Sequence, residues 1–339
     1  MSSSSKPLVT VLTPVYNGEK YLAECIESVL AQTYSNLEYI VLNNASTDGT
    51  LQIAEKYARM DKRVRVYSNE TLLPIIANHN KAFGLVTAPS KYTKIVSADD
   101  WLFPECLTRM VELGEAHPSV GIIGSYQLSG GGSDWRGWRV RWDNLPYPSS
   151  VIPGREICRR QMLDNVYVFG TPTSLMYRSD LVIGDKTFYP NSTTEGDTSA
   201  VYKSLQRADF GFVHQVLSYE RDHEIRVTTQ SGSFNAYIPS KLSDLVEYGK
   251  SFLSAEEFDR VFKQFMDEYY GFLAESAISF REKKFWDYHK GRLNTIGHPL
   301  STSRLGKAVA KESLDLLLNP KKTVGNLVRR KSLIVPRKS

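Results

Sequence analysis

Leu8-Val9-Thr10-Val11-Leu12-Thr13-Pro14-Val15-Tyr16-Asn17 decides how the first half of the chain is read. Leu8–Val15 is an apolar strand candidate, and the turn Thr13-Pro14-Val15-Tyr16-Asn17 closes it. A helix follows, because Tyr21, Leu22, Cys25, Ile26, Val29 and Leu30 recur at i, i+3/i+4 spacing and make one apolar stripe. Residues 37–42 form a second strand. The loop Asn43-Asn44-Ala45-Ser46-Thr47-Asp48-Gly49-Thr50 is rich in cap and turn formers and leads into a helix with Leu51, Ala54, Tyr57 and Ala58 on one face. A third short strand spans 64–67, a helix 75–86, and a fourth strand 92–96, which ends at Ser97-Ala98-Asp99-Asp100. Pro104 suits the first turn of a helix running to about His117, and residues 120–123 begin a fifth strand. Alternation of this kind implies an α/β fold with a mostly parallel sheet covered on both faces. In such sheets ligands sit beyond the carboxyl ends of the strands, where the loops 43–50 and 97–100 fall.

Beyond this frame the pattern changes. Gly130, Gly131 and Gly132 precede a run holding Trp135, Trp138 and Trp142, which reads as a mobile loop over 129–150 with the character of a lid. Residues 151–228 mix short helices and strands. From about Asn235 the chain is helical, with Phe252, Phe258, Phe262, Phe265, Tyr269, Tyr270 and Phe272 as packing anchors, and Pro320 breaks the pattern. After Asp315 no acidic residue follows, while Lys321, Lys322, Arg329, Arg330, Lys331, Arg337 and Lys338 do.

Composition bounds the function. At 339 residues, 41% apolar and 23% charged, the chain is of ordinary globular class, with room for one large domain plus an appendage or for two domains. A net charge of +5 gives no argument for nucleic acid and suits a diphosphate ligand or an anionic membrane surface equally well. The three cysteines, Cys25, Cys106 and Cys158, lack zinc spacing and do not make a disulfide framework, so a reducing cytoplasm is the natural setting. Residues 1–6 form a Ser-rich, disordered start without the apolar core of a signal peptide. No stretch approaches the roughly 20 apolar residues that span a bilayer. The expectation is a soluble protein, peripheral on the inner face of the membrane if its basic tail 321–339 touches anionic lipid.

Three constellations carry chemistry. The strand ending in Pro14 and Asn17 leaves backbone groups at the sheet edge, suited to a flat base; the plain alternative makes Asn17 a helix N-cap. A uracil or thymine edge presents a donor between two acceptors, and an Asn side chain on the loop 43–50 carries both complements; the alternative is again a capped helix start. Two adjacent carboxylates at a strand end, Asp99 and Asp100, repel each other, and such pairs persist where a cation neutralises them. With a diphosphate they suit Mg²⁺ or Mn²⁺; the alternative is an exposed acidic turn. No Gly-x-Gly-x-x-Gly follows the first strand and no Gly-x-x-x-x-Gly-Lys-Ser/Thr occurs, which excludes dehydrogenase and P-loop chemistry.

Order and spacing join these signals. Thr13-Pro14-Val15-Tyr16-Asn17, then Tyr21-Leu22 and Ser28-Val29-Leu30-Ala31-Gln32-Thr33, then Ser46-Thr47-Asp48-Gly49-Thr50, then Asn80, then Ala98-Asp99-Asp100 resemble glycosyltransferase family 2. The resemblance is close over about 7–125 and looser to about 228. It implies a GT-A fold (Rossmann-like, mostly parallel sheet flanked by helices), here with a helical C-terminal extension. It implies an enzyme that takes a nucleotide-diphosphate sugar and inverts at the anomeric carbon, acting on a saccharide or lipid-linked saccharide in polysaccharide or glycan biosynthesis. A donor half over 7–128, an acceptor half over 129–232 and a helical region over 233–320 follow.

By the same resemblance, Thr13, Pro14, Tyr16, Asn17, Asn44, Ser46, Asp48, Asn80, Ala98 and Asp100 fall on nucleotide-binding positions, and Asp99, Asp100 and His223 on metal positions for Mn²⁺ or Mg²⁺. Arg221 falls on a diphosphate position in Tyr219-Glu220-Arg221-Asp222-His223. Glu195-Gly196-Asp197-Thr198 matches the acidic pair of the acceptor half, with Asp197 as general base and Glu195 behind it; the plain reading makes Asp197 a helix cap. Gly170-Thr171-Pro172-Thr173-Ser174 falls where the acceptor pocket is lined. Two departures bear on function. Asn43 and Asn44 replace acidic residues, which leans the base toward uridine or thymidine. Ser97 replaces the first metal-motif Asp, which weakens metal affinity and keeps open a catalytically inactive GT-A-like scaffold. The lack of transmembrane helices and of Gln-x-x-Arg-Trp argues against a processive synthase.

Overall fold

The computed structural model describes residues 6–130, 138–141, 145, 150–164, 169–190, 196–222, 234–279 and 281–319. The chain divides into two compact units, Met1–Gln230 with Glu247–Ser254, and Ser231–Val246 with Ala255–Ser339.

The first unit is built on β1 (Leu8–Val15), whose every residue from Val9 onward is buried. On one side it pairs in parallel with β2 (Leu37–Asn43), and β2 with β3 (Val64–Ser68); on the other it pairs in parallel with β4 (Ser90–Ile95). Parallel neighbours need crossovers, and three helices supply them: α1 (Leu22–Leu30), α2 (Thr50–Met60) and α3 (Ile75–Phe83). The stripe read from the sequence is the one that packs. Leu22, Cys25, Ile26 and Val29 of α1 share a core with Val9, Val11, Tyr39 and Val41. Each such side chain contributes about 1.5–3 kcal/mol relative to solvent exposure.

After β4 come the short β5 (Trp101–Leu102), α4 (Cys106–Ala116) and β6 (Val120–Gly130). β6 runs seven residues past the 120–123 start and returns as β7 (Arg139–Arg141), paired antiparallel through Gln127↔Arg141 and Ser129↔Arg139. The other residues of the loop expected over 129–150, apart from Trp138, Leu145 and Ser150, lie outside the described residues. Then follow β8 (Val151–Ile152), α5 (Gly154–Asp164), a single turn at Pro172–Ser174, β9 (Leu175–Arg178), α6 (Gly196–Leu205) and β10 (Asp209–Arg221).

The sheet order is β3-β2-β1-β4-β9-β6-β10-β5. The sheet is mostly parallel, as alternation implied, yet mixed: β9 lies antiparallel between β4 and β6 and joins two parallel blocks. β9 follows α5 and the tight Pro172–Ser174 turn, and enters the sheet in the opposite sense to β4 and β6 on either side of it. This insertion brings the 172–174 turn beside the end of β4, where the acidic loop begins.

The second unit is helical. It holds most of α7 (Tyr237–Phe252), with α8 (Ala255–Ile278), α9 (Lys283–Thr295) and α10 (Thr302–Leu318). Its core includes Leu242, Met266, Tyr269, Tyr270, Leu273, Phe285 and Leu293. The anchors Phe262, Phe265 and Phe272 pack against it, as the stripe implied. His289 is wholly buried there, with Nδ1 2.6 Å from the Tyr269 hydroxyl. Burial pushes its pKa down from 6.5 to about 4. A histidine held neutral in the fold but titrating normally when unfolded withdraws stability as pH falls from about 6.5 toward 4. Urea unfolding across that range should therefore show wild type losing more stability than His289→Leu. Equal losses would mean that His289 takes up its proton within the fold.

Candidate functional site

Three loops leave the carboxyl ends of neighbouring strands: 16–21 after β1, 44–49 after β2 and 96–100 after β4. The first two are sewn together. Asn17 sits at φ +50, a left-handed conformation that Asn tolerates better than most residues. Its backbone N–H donates to Ser46 Oγ at 3.0 Å, and its Oδ1 accepts the Thr47 N–H at 2.9 Å. Gly18 N–H donates to Thr50 Oγ1 at 2.8 Å, Glu19 N–H to Asp48 Oδ2 at 3.1 Å, and Gly49 N–H to Glu19 Oε2 at 2.9 Å. Slight burial raises the Asp48 pKa, but donors from Thr50 and Glu19 outweigh it and hold the carboxyl below the usual range. Asn17 caps no helix: the residue before α1 is Tyr21, which makes no side-chain cap. Asn17, Ser46 and Asp48 thus form a rigid rim of loop against loop.

The other predicted nucleotide positions fall on distinct surroundings. Thr13 faces the core, its hydroxyl 2.9 Å from that of Tyr39. Pro14 is buried in β1 opposite Leu42. Tyr16 is 47% exposed and presents an open aromatic face. Asn44 is buried; its Oδ1 accepts Asn69 Nδ2–H at 2.7 Å and Leu73 N–H at 2.9 Å, and its Nδ2 donates to Leu73 O at 2.9 Å. It therefore pins the segment 69–73 to the end of β2. Asn80 holds the Tyr189 backbone in both directions, accepting its N–H and donating to its carbonyl, each at 2.8 Å. Ala98 packs against the core.

The acidic loop is the most elaborate part. Asp100 is 4% exposed. Its Oδ2 accepts the Thr173 hydroxyl at 2.6 Å and its Oδ1 the Arg221 N–H at 3.1 Å. Burial first, then Asp99, then Glu220 push its pKa far above the carboxylate range, against the pull of the Thr173 and Arg221 donors. Arg221, at the end of β10, donates from Nε to Asp99 O at 3.1 Å and pairs with Glu24 of α1. Its guanidinium lies 4.4 Å from the Tyr21 ring centre and 5.1 Å from that of Trp101, and Trp101 stacks on Tyr219 at 3.7 Å. The fold thus brings Asp99, Asp100 and Arg221 together from positions 122 residues apart.

This donor set fits a divalent ion bound with a diphosphate. Among the described residues no three His, Cys, Asp or Glu side chains converge into an all-protein cage. Mg²⁺-like ions bound with phosphates need only one or two carboxylates, the rest of the shell coming from phosphate and water. Asp99 is half-buried on the turn, and the mutual repulsion with Asp100 is what a cation relieves.

Asp197 lies in the first turn of α6 and is only partly covered. Its surroundings still raise its pKa by desolvation, against backbone N–H donors of Thr198 and of Asp197 itself. Its charge acts on the buried Tyr177 and Tyr189. Asn80 holds the backbone of the same Tyr189 on which the Asp197 charge acts. Glu195, His223, Trp135 and Trp142 lie outside the described residues, as does the tail after Asn319.

Sequence reading missed four participants. Thr173 was read only as pocket lining, yet it bonds Asp100. Lys94 sits buried behind that turn and was legible only as a lone charge in an apolar strand. Trp101 frames Arg221. His79 stacks on Tyr189 at 5.6 Å and 20° and had no signal beyond being one of six histidines.

Comparison with known proteins bears on the family and the fold. The model of the family described as Glycosyl transferase family 2 matches residues 10–183. The putative glycosyltransferase EpsE of Bacillus subtilis is 33% identical over 233 residues, 66% of this chain and 82% of that protein. An uncharacterized glycosyltransferase of Haemophilus influenzae is 39% identical over 120 residues, and the match spans only 36% of its length. Among solved structures, S. aureus TarS 1–349 in complex with UDP-GlcNAc aligns with TM-score 0.61 at 17% identity, covering 93% of this chain and 87% of that one. The mannosyltransferase PcManGT from Pyrobaculum calidifontis, in complex with GDP-Man and Mn²⁺, aligns with TM-score 0.53 at 15% identity, covering 92% and 81%. At such identities the structures show the fold, which is GT-A. With its family model covering half the chain and a relative matched over most of its length, this protein belongs to glycosyltransferase family 2.

Proposed function

We propose that this chain transfers a sugar from a UDP- or dTDP-sugar to a saccharide or lipid-linked saccharide, by metal-assisted inverting displacement, in the building of cell-surface polysaccharide. The observation that carries the reading is the Asp99–Asp100 turn, set at the strand ends under the guanidinium of Arg221. A diphosphate needs a cation on one side and gains from a planar guanidinium on the other; Asp99 would hold the first and Arg221 would supply the second.

The rim formed by the loops after β1 and β2 borders the place for the base, and Tyr16 offers it a face. Guanine's N1–H and N2–H₂ ask for a carboxylate, and positions 43 and 44 are both Asn, which favours uridine or thymidine. The TarS complex with UDP-GlcNAc supports that lean, and the GDP-Man complex of PcManGT is the counterexample within the same fold. Asp99 would hold Mn²⁺ or Mg²⁺, which supplies charge neutralisation on the departing diphosphate. Asp100 braces the loop. Asp197, whose raised pKa makes it a better proton acceptor, takes the proton from the acceptor hydroxyl as that oxygen attacks the anomeric carbon from the face opposite the diphosphate.

No helix among the described residues is long and apolar enough to cross a membrane. Contact with a lipid-linked acceptor would fall to the basic residues after 320. Flotation with anionic liposomes should separate the full chain from one ending at 319; identical partitioning would remove the tail from the membrane.

Calorimetric titration of UDP, dTDP, GDP and CDP, with Mn²⁺ and then with EDTA, tests the donor class. Metal-dependent binding of a uracil or thymine nucleotide is expected. No binding to any by the folded protein would favour a catalytically inactive scaffold, for which Ser97 in the metal motif is the observation. Asp99→Ala should abolish the Mn²⁺-dependent part of binding, and an unchanged Mn²⁺ requirement would move the ligand elsewhere. Asp197→Asn should lower turnover by roughly 10²–10⁴-fold with nucleotide affinity unchanged. Full activity of that variant would assign the base to another residue.

A further inference from the structure

Lys94 is the only lysine or arginine among the buried residues of the described chain, and it is 0% exposed. It lies in β4 between β1 and β9, its Cα paired with Val11 and Met176. Its ammonium donates to the carbonyl of Thr173 and, at 3.0 Å, to that of Leu175. An ammonium taken out of water costs several kcal/mol unless partners compensate it. Here the partners are the backbone carbonyls of one turn; burial pushes the Lys94 pKa down, against the pull of Cys106 and then of Asp100.

That turn is the part that reaches the site. Thr173 Oγ1 donates to Asp100 Oδ2 at 2.6 Å and accepts the Ser97 N–H at 3.1 Å, so both ends of the acidic loop close on one hydroxyl. The other oxygen of Asp100 accepts the Arg221 N–H. The chain of contacts runs from Lys94 through the Thr173 backbone and hydroxyl to Asp100, then to Arg221.

We infer that Lys94 is a positioning residue of the site: its buried ammonium locks the 172–174 turn so that Thr173 holds Asp100, and the Asp99 loop is set before any divalent ion arrives. This goes beyond the proposed function in naming what organises the loop, and it rests on that reading only for its effect on metal and nucleotide. In this chain, where Ser97 stands in the metal motif, preorganisation from behind takes over part of the work of a carboxylate.

Two full-length variants test the clamp, Lys94→Met and Thr173→Val. Amide hydrogen exchange reads it without any ligand. Both variants should speed exchange at the Asp100 and Arg221 N–H groups by about tenfold relative to the amides of β1. The Mn²⁺ midpoint for UDP binding, followed by calorimetry, should rise by roughly 10–100-fold, the range seen when groups supporting metal ligands are removed. The sign is diagnostic. If Lys94 acted only as a like charge on the metal, its loss would lower the midpoint, and that result would overturn the inference. Uniformly faster exchange with an unchanged midpoint would reduce Lys94 to general stability and overturn it too. If Lys94→Met does not fold, Thr173→Val decides alone, and unchanged exchange at Arg221 with an unchanged midpoint rejects the clamp. If wild type binds no UDP, the functional reading fails, and the exchange comparison still judges the clamp.

Discussion

The carboxylate of Asp100 is buried, and the rest of the site is arranged around keeping it there. A carboxylate out of water needs donors on its oxygens or a cation at hand. The fold gives it the Thr173 hydroxyl from the turn before β9 and the Arg221 N–H from the end of β10, while the Lys94 ammonium bonds the backbone carbonyl of that same turn. These groups come from distant parts of the chain, so the acidic loop exists in this form only once β4, the turn before β9 and β10 have met. The antiparallel β9 is therefore more than a variation in topology: the turn that leads into it carries the hydroxyl bonded to Asp100.

The same logic governs the strand ends on the other side of β4. Side chains that a reader of motifs assigns to ligand, such as Asn17, Ser46, Asp48 and Asn44, spend their hydrogen-bonding capacity on neighbouring loops. They give the rim rigidity, and Tyr16 stands exposed beside it. Preorganised polar groups are worth most where they need no rearrangement when charge arrives, which is the requirement of a site that must hold a diphosphate as it leaves. The role of Asn80 follows from the same accounting. By gripping the Tyr189 backbone it ties α3 to the segment that ends at residue 190.

Much of this family 2 glycosyltransferase is legible in its sequence because local physics sets it. The alternation of short apolar runs with i, i+3/i+4 stripes determined β1 to β4, α1 and α2 to within a residue or two, since burial on both faces demands those periods. The cap-rich loops at strand ends, the Asp99–Asp100 pair and the aromatic stripe of the helical unit were readable for the same reason. Their spacing carried the family.

What spacing could not carry was decided in three dimensions. β9 lies antiparallel because a short segment after a tight turn pairs with whichever edges the fold leaves open, and that choice depends on strands far away in the chain. The partners of Asp100 lie 73 and 121 residues distant, and nothing local to Asp100 marks them. Lys94 shows in sequence as a charge where an apolar residue belongs, and only packing tells whether such a charge is turned to water or used inside. The sequence by itself determined the elements, the strand-end placement of the chemistry and the family. The tertiary structure alone decided which polar side chains hold the loops to one another, because a hydrogen bond's partner is a matter of position in space and not of residue type.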